Sequence, residues 1–147
     1  MRLTPILATV ALLSVLGCGD TLTVPIGDAE GAVTHSGAFH AVAHPGTGIA
    51  EIVVAPDGSR SLRFTNFQTD AGPALEVYLV AAPDATDSQT VLDAGYVTLG
   101  ALTSPSGNQS YPIPDDLDLT VYMSVSIWCV PFDVNFTTAP LTALPGT

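Results

Sequence analysis

The chain has 147 residues, is 47% hydrophobic and 12% charged, and sets 14 acidic side chains against 3 basic ones, for a net charge of −11 at neutral pH. That length suits one domain with one core. Acidity on this scale repels nucleic acid and anionic headgroups, which excludes a nucleic-acid partner and favours a basic one.

Arg2 opens a short positive region, and Ile6 to Leu16 follows as an apolar run broken only by Thr9 and Ser14. The run is shorter than the roughly 20 residues a bilayer span needs, and it has the length of a secretory signal core. It ends in Val15-Leu16-Gly17-Cys18, which resembles the lipobox of bacterial lipoproteins. That resemblance implies cleavage of residues 1–17, a lipid thioether on Cys18, and a membrane anchor made by that lipid. The protein is then expected in the cell envelope, held outside the cytoplasmic membrane on a periplasmic or surface face. Gly19 follows the cysteine, not the Asp that retains some diderm lipoproteins at the inner membrane. After cleavage, Arg60 and Arg63 oppose all fourteen acids, a net charge of −12.

From Gly19 to about Val33 the chain mixes Gly, Thr, Asp, Pro and Glu without a sustained period. Residues 18–36 read as the lipidated cysteine and a tether, and 37–147 as the domain. Eight strands are expected there: Ala38–Ala43, Ile49–Ala55, Ser61–Phe67, Leu75–Ala81, Tyr96–Leu99, Gln109–Ile113, Leu119–Cys129 and Phe132–Thr137. Turn chemistry separates them at His44-Pro45-Gly46, Pro56-Asp57-Gly58, Asp70-Ala71-Gly72-Pro73, Pro105-Ser106-Gly107-Asn108 and Pro114-Asp115-Asp116. Short strands at this spacing predict an all-β fold, a single antiparallel sandwich behind the signal and tether. Asp84 to Ala94 is the one stretch suited to a helical turn.

Side chains alternate along a strand. Val121, Met123, Val125, Ile127 and Cys129 therefore share one face and are expected inside, with Phe132, Val134 and Phe136 resuming the inward stripe after Pro131. Cys129 ends its strand at the expected rim. With Cys18 lipidated it is the sole thiol of the mature chain, so no internal disulfide is available to it.

Hydrolase nucleophile elbows, His-Glu-x-x-His, phosphate-binding Gly loops and the Cys-x-x-Cys-His haem attachment site are all missing. His35, His40 and His44 cluster in sequence, but four residues of strand separate the last two by about 13 Å, too far for one ion. No His or Met follows Cys129, against the familiar blue-copper pattern. Asp115-Asp116-x-Asp118 lacks the Gly and Glu of an EF-hand loop and reads as a solvated turn.

Several elements in order resemble one family. They are Gly37-Ala38-Phe39, His44-Pro45-Gly46-Thr47-Gly48, Leu62-Arg63-Phe64-x-x-Phe67 and Gly72-Pro73-x-Leu75-x-Val77-Tyr78-Leu79. Leu99-Gly100-x-Leu102, Gly107-Asn108-Gln109-x-Tyr111-x-Ile113-Pro114 and Val125-x-Ile127-Trp128-Cys129-x-x-Phe132 follow. Together they resemble the electron-transfer DM-thirteen domain. The resemblance implies a β-sandwich and a redox role centred on Cys129, as a bare thiol or as ligand to a prosthetic group. That group, haem or copper, is left open. His44, in the family-like His-x-Gly turn, is the imidazole expected as a second ligand, with His40 behind it. The family commonly has Asp where this chain has Ala74. An electron-transfer or binding module is expected, not a turnover enzyme, with a basic redox protein as partner. The alternative is a non-catalytic module that binds a ligand or protein, with Cys129 a structural residue.

Overall fold

A computed structural model describes residues 31–146. Cys18, the signal and most of the tether lie outside the described residues. Among the described residues, ten strands form two five-stranded antiparallel sheets, with one short α-helix between the fifth and sixth strands. Sheet I runs β10 (Thr142–Ala143), β1 (Ala32–Ala38), β3 (Gly46–Val54), β4 (Arg60–Thr69), β7 (Ser106–Ile113). Sheet II runs β2 (His40–Ala41), β9 (Val134–Pro140), β8 (Ser124–Cys129), β5 (Leu75–Val80), β6 (Tyr96–Ala101). This is the all-β sandwich expected from the turn spacing.

Local chemistry sets the corners. In the β3–β4 hairpin, Asp57 Oδ1 accepts from the Ser59 backbone N–H at 2.9 Å and from its hydroxyl at 2.7 Å, while Gly58 takes φ +87°. A bulge displaces the register of both strands near Gly48 and Asn66. Gly48, at φ +102°, lies where a Cβ would come within 2.7 Å of the Asn66 carbonyl oxygen, so a larger residue does not fit. The chain changes sheets at Phe39, whose buried ring joins Phe64 and Phe67 between the layers.

Val125, Ile127 and Cys129 point inward with Val77, Leu79 and Phe136, as alternation requires. The opposite face of β8 is equally dry. Ser124, Ser126 and Trp128 are buried, and the segment that ends in α1 (Ser88–Ala94) packs Ala82, Ala85 and Val91 against Trp128. Asp87 caps α1 by accepting from the Thr90 backbone N–H at 2.6 Å. Asn135 ties this layer down: its amide donates to Ala85 O at 2.8 Å and its Oδ1 accepts from Ser126 Oγ at 2.8 Å.

Four expectations need correction. The sandwich begins at Ala32, inside the stretch read as tether, since β1 is a mixed, half-buried strand without clean alternation. The strand expected from Leu119 begins at Ser124. Asp118 instead folds Leu119–Tyr122 into a turn, its carboxylate accepting from Thr120 and its carbonyl from the Val121 and Tyr122 N–H groups. Val121 is therefore exposed and Met123 half-buried. Phe132 is 68% exposed, because Val130–Phe132 forms a 3-10 turn closed by Asp133 in the left-handed region. The inward stripe resumes only at half-buried Val134.

Candidate functional site

β5 and β8 are antiparallel neighbours, and Cys129 at the end of β8 pairs with Leu75 at the start of β5. The loop entering β5, residues 70–74, therefore folds across the cysteine. The thiol donates to Pro73 O at 3.3 Å, and the next backbone N–H, of Val130, donates to Ala74 O at 3.3 Å. Cys129 is completely buried, so the expected rim position is real along the strand but the loop roofs it. Ala74 adopts φ +47°, a conformation that costs an alanine about 1–2 kcal/mol. Asp and Asn enter this region more readily than Ala, so Ala74 holds a strained conformation.

His44 reaches the same loop from another side. Its ring stacks on Phe136 with centroids 3.8 Å apart, and its Nδ1 meets Asp70 Oδ2 at 2.9 Å. The edge of Phe136 in turn abuts Gly72, where an added Cβ would lie 2.7 Å from Cζ. Contacts thus run from His44 through Phe136 and Gly72 to Pro73 and Cys129. Asp70 orients the imidazole as a carboxylate orients a metal-bound histidine. The Cys129 thiol, however, is spent on Pro73 and enclosed by the core. A cleft of about 250 Å³ lies on the outer side of the roof, lined by Gly72, Ala74, Leu75, Leu102 and Ser104 among others, and the thiol is not on its wall. These two residues do not fit joint ligation of haem or copper in this arrangement.

The other histidines go elsewhere. His40 Nε2 meets both carboxylate oxygens of Asp84 at 2.9 and 3.0 Å. His35 lies on β1 beside Thr34, and burial lowers its pKa. No group of three or more His, Cys, Asp or Glu side chains suited to a metal occurs among the described residues.

One constellation was not anticipated from the sequence. Tyr78 of β5, Tyr96 of β6 and Trp128 of β8 stack on the outer face of sheet II. Tyr78 and Tyr96 have centroids 4.2 Å apart at 3°, and Tyr78 and Trp128 5.8 Å apart at 20°. Burial, then Tyr96, Glu76 and Asp133 nearby, push the Tyr78 phenol up to about 12. All three rings occupy the positions of their strands that face away from the core between the sheets.

The model of the Electron transfer DM13 family matches residues 38–141. The chain belongs to that family. No curated protein and no solved structure matches it. The DM13 match covers the sandwich from the sheet crossover at Phe39 to Leu141, and so includes the loop over Cys129, the His44 turn and the outer aromatic rings.

Proposed function

We propose that this DM13 domain serves electron transfer at the outer side of a membrane, anchored by lipid at Cys18 and centred on Cys129. Family membership supports the electron-transfer role. The observation that carries the centring is the position of Cys129: the sole thiol left after lipidation lies in the family's Ile-Trp-Cys element, beneath a loop that hydrogen-bonds it through Pro73. The acidic chain favours a basic redox protein as partner through electrostatic steering.

Full burial of Cys129 favours a second reading, a ligand- or protein-binding module in which the cysteine only packs. Wild type, Cys129→Ser and His44→Ala, isolated from the envelope, separate the two. Each is assayed for bound haem or copper and for electron exchange with a basic carrier. The redox reading expects exchange to be lost in Cys129→Ser with the fold retained. A Cys129→Ser protein altered in stability alone establishes the packing role. Anchoring is read separately, by mass spectrometry of the mature N-terminus: a diacylglycerol on Cys18 is expected, and an unmodified Cys18 in the processed chain rules out the anchor.

A further inference from the structure

The outer aromatic rings differ from ordinary packing in three ways. First, they are two tyrosines and the chain's single tryptophan, its most readily oxidised aromatic types. Second, they are nearly parallel, with interplanar angles of 3°, 20° and 22°, and centroids no more than 6.5 Å apart. Third, they lead somewhere. Tyr96 is 42% exposed on the edge strand of sheet II, Tyr78 is 5% exposed behind it, and Trp128, 2% exposed, immediately precedes Cys129.

We propose that Tyr96, Tyr78 and Trp128 form a one-electron conduit between the exposed edge of sheet II and the buried indole of Trp128. The conduit rests on the electron-transfer reading and names the residues that would carry the electron. Its elementary step begins when a one-electron oxidant, such as an oxidised metal complex, takes an electron from Trp128 and leaves an indole radical cation. Tyr96 then supplies one electron, directly across the 6.5 Å between the ring centroids or by way of Tyr78, restoring neutral Trp128. At the same time Tyr96 loses its phenolic proton to water and becomes a neutral tyrosyl radical. One electron has gone to the oxidant and one proton to solvent.

The surroundings suit that direction. Exposed Tyr96 can give its proton to water, whereas Tyr78 is enclosed and holds its proton more tightly. The carboxylates of Glu76 and Asp133 act on the Tyr78 phenol, and negative charge stabilises a passing positive hole. Thr98 holds Glu76 by donating to its Oε2 at 3.0 Å. The Asn135 hydrogen bonds to Ala85 and Ser126 fix the layer that covers Trp128, so the rings need little rearrangement as charge moves.

Laser photoionisation of Trp128 in the intact folded chain tests the conduit, because no other tryptophan competes. In wild type the tryptophanyl radical is expected to decay as a tyrosyl radical appears. Tyr96→Phe removes the hydroxyl that gives its proton to water and should slow that conversion by more than an order of magnitude. Tyr78→Phe combined with Tyr96→Phe should leave the tryptophanyl radical long-lived, while Tyr122→Phe should leave the conversion unchanged. A tryptophanyl lifetime equal in wild type and the double variant overturns the proposal, as does loss of the tyrosyl radical in Tyr122→Phe. Cys129→Ser separates this outcome from the fate of the cysteine reading. Conversion that persists in a Cys129→Ser protein with unchanged electron exchange leaves the conduit standing and removes Cys129. Exchange that depends on Cys129, with no radical conversion, does the reverse.

Discussion

The sandwich holds two aromatic clusters built by opposite rules. Between the sheets, Phe39, Phe64, Phe67 and Tyr111 meet at 38° to 87°, the tilted and edge-on contacts that fill volume densely. On the outer face of sheet II, Tyr78, Tyr96 and Trp128 lie nearly parallel and end at solvent. The inner cluster is mostly Phe, which offers area and no chemistry. The outer one is entirely Tyr and Trp, which offer oxidisable rings and polar tips. Cys129 stands where the two meet, its side chain in the inner layer and its preceding residue in the outer. The contrast shows that burial alone does not define the core of this fold: both faces of β8 are dry, but they are built for different work.

The largest expected effect breaks the inner cluster. Phe64 is fully buried and touches three other rings. Phe64→Ala should cost about 3–5 kcal/mol in chemical denaturation. Next is the junction between the clusters. Cys129→Ser puts a hydroxyl in a dry site with one carbonyl within reach, and should cost about 1–3 kcal/mol. Relief of backbone strain over the thiol is smaller and opposite in sign: Ala74→Gly should raise stability by about 0.5–1 kcal/mol, read from the same melts. At the exposed end of the outer cluster, Tyr96→Phe should move stability by less than about 0.5 kcal/mol. A large loss there would make the parallel rings a packing device and blur the distinction between the clusters.

Titration sharpens the same comparison. Tyr78 is held above its ordinary value of 10.0, to about 12, so the unfolded chain loses that proton first as pH rises. Its contribution to stability should be intact below pH 10 and decline between there and about 12, and an absorbance titration should show a late phenol that Tyr78→Phe removes. At the acid end, Asp57, Asp87 and Asp118 are lowered below 3.8 by hydrogen bonds from Ser59, Thr90 and Thr120. Their contribution is present above the ordinary carboxylate range and lost as pH falls through the lowered values.

Much of this arrangement was legible in the residues. Pro, Gly and Asp turns marked the hairpins, and alternation placed Val125, Ile127 and Cys129 on the inner face. Alternation could not say what covers the other face. Trp128 lies on the face opposite the inward stripe, and its burial beside Tyr78 depends on Ala82, Ala85 and Val91, which come from a distant part of the chain. Phe132 failed for a related reason: its periodicity continued across Pro131, but Asp133 in the left-handed region turns the chain there. The family resemblance pairs His44 with Cys129 through the order of its motifs. The structure brings them to one loop, yet Asp70 and Pro73 engage them separately, and such long-range partners leave no local pattern. The positive φ at Ala74 leaves no mark in the residue type either, because alanine carries no preference for that region.

The most direct test of the account is protein-film voltammetry of the intact mature chain beside Cys129→Ser, with the fold of each verified by circular dichroism. The account predicts a reversible wave in the wild type that Cys129→Ser abolishes while remaining a folded β-sandwich. An identical wave in both proteins, or no wave in either, contradicts a redox centre at Cys129.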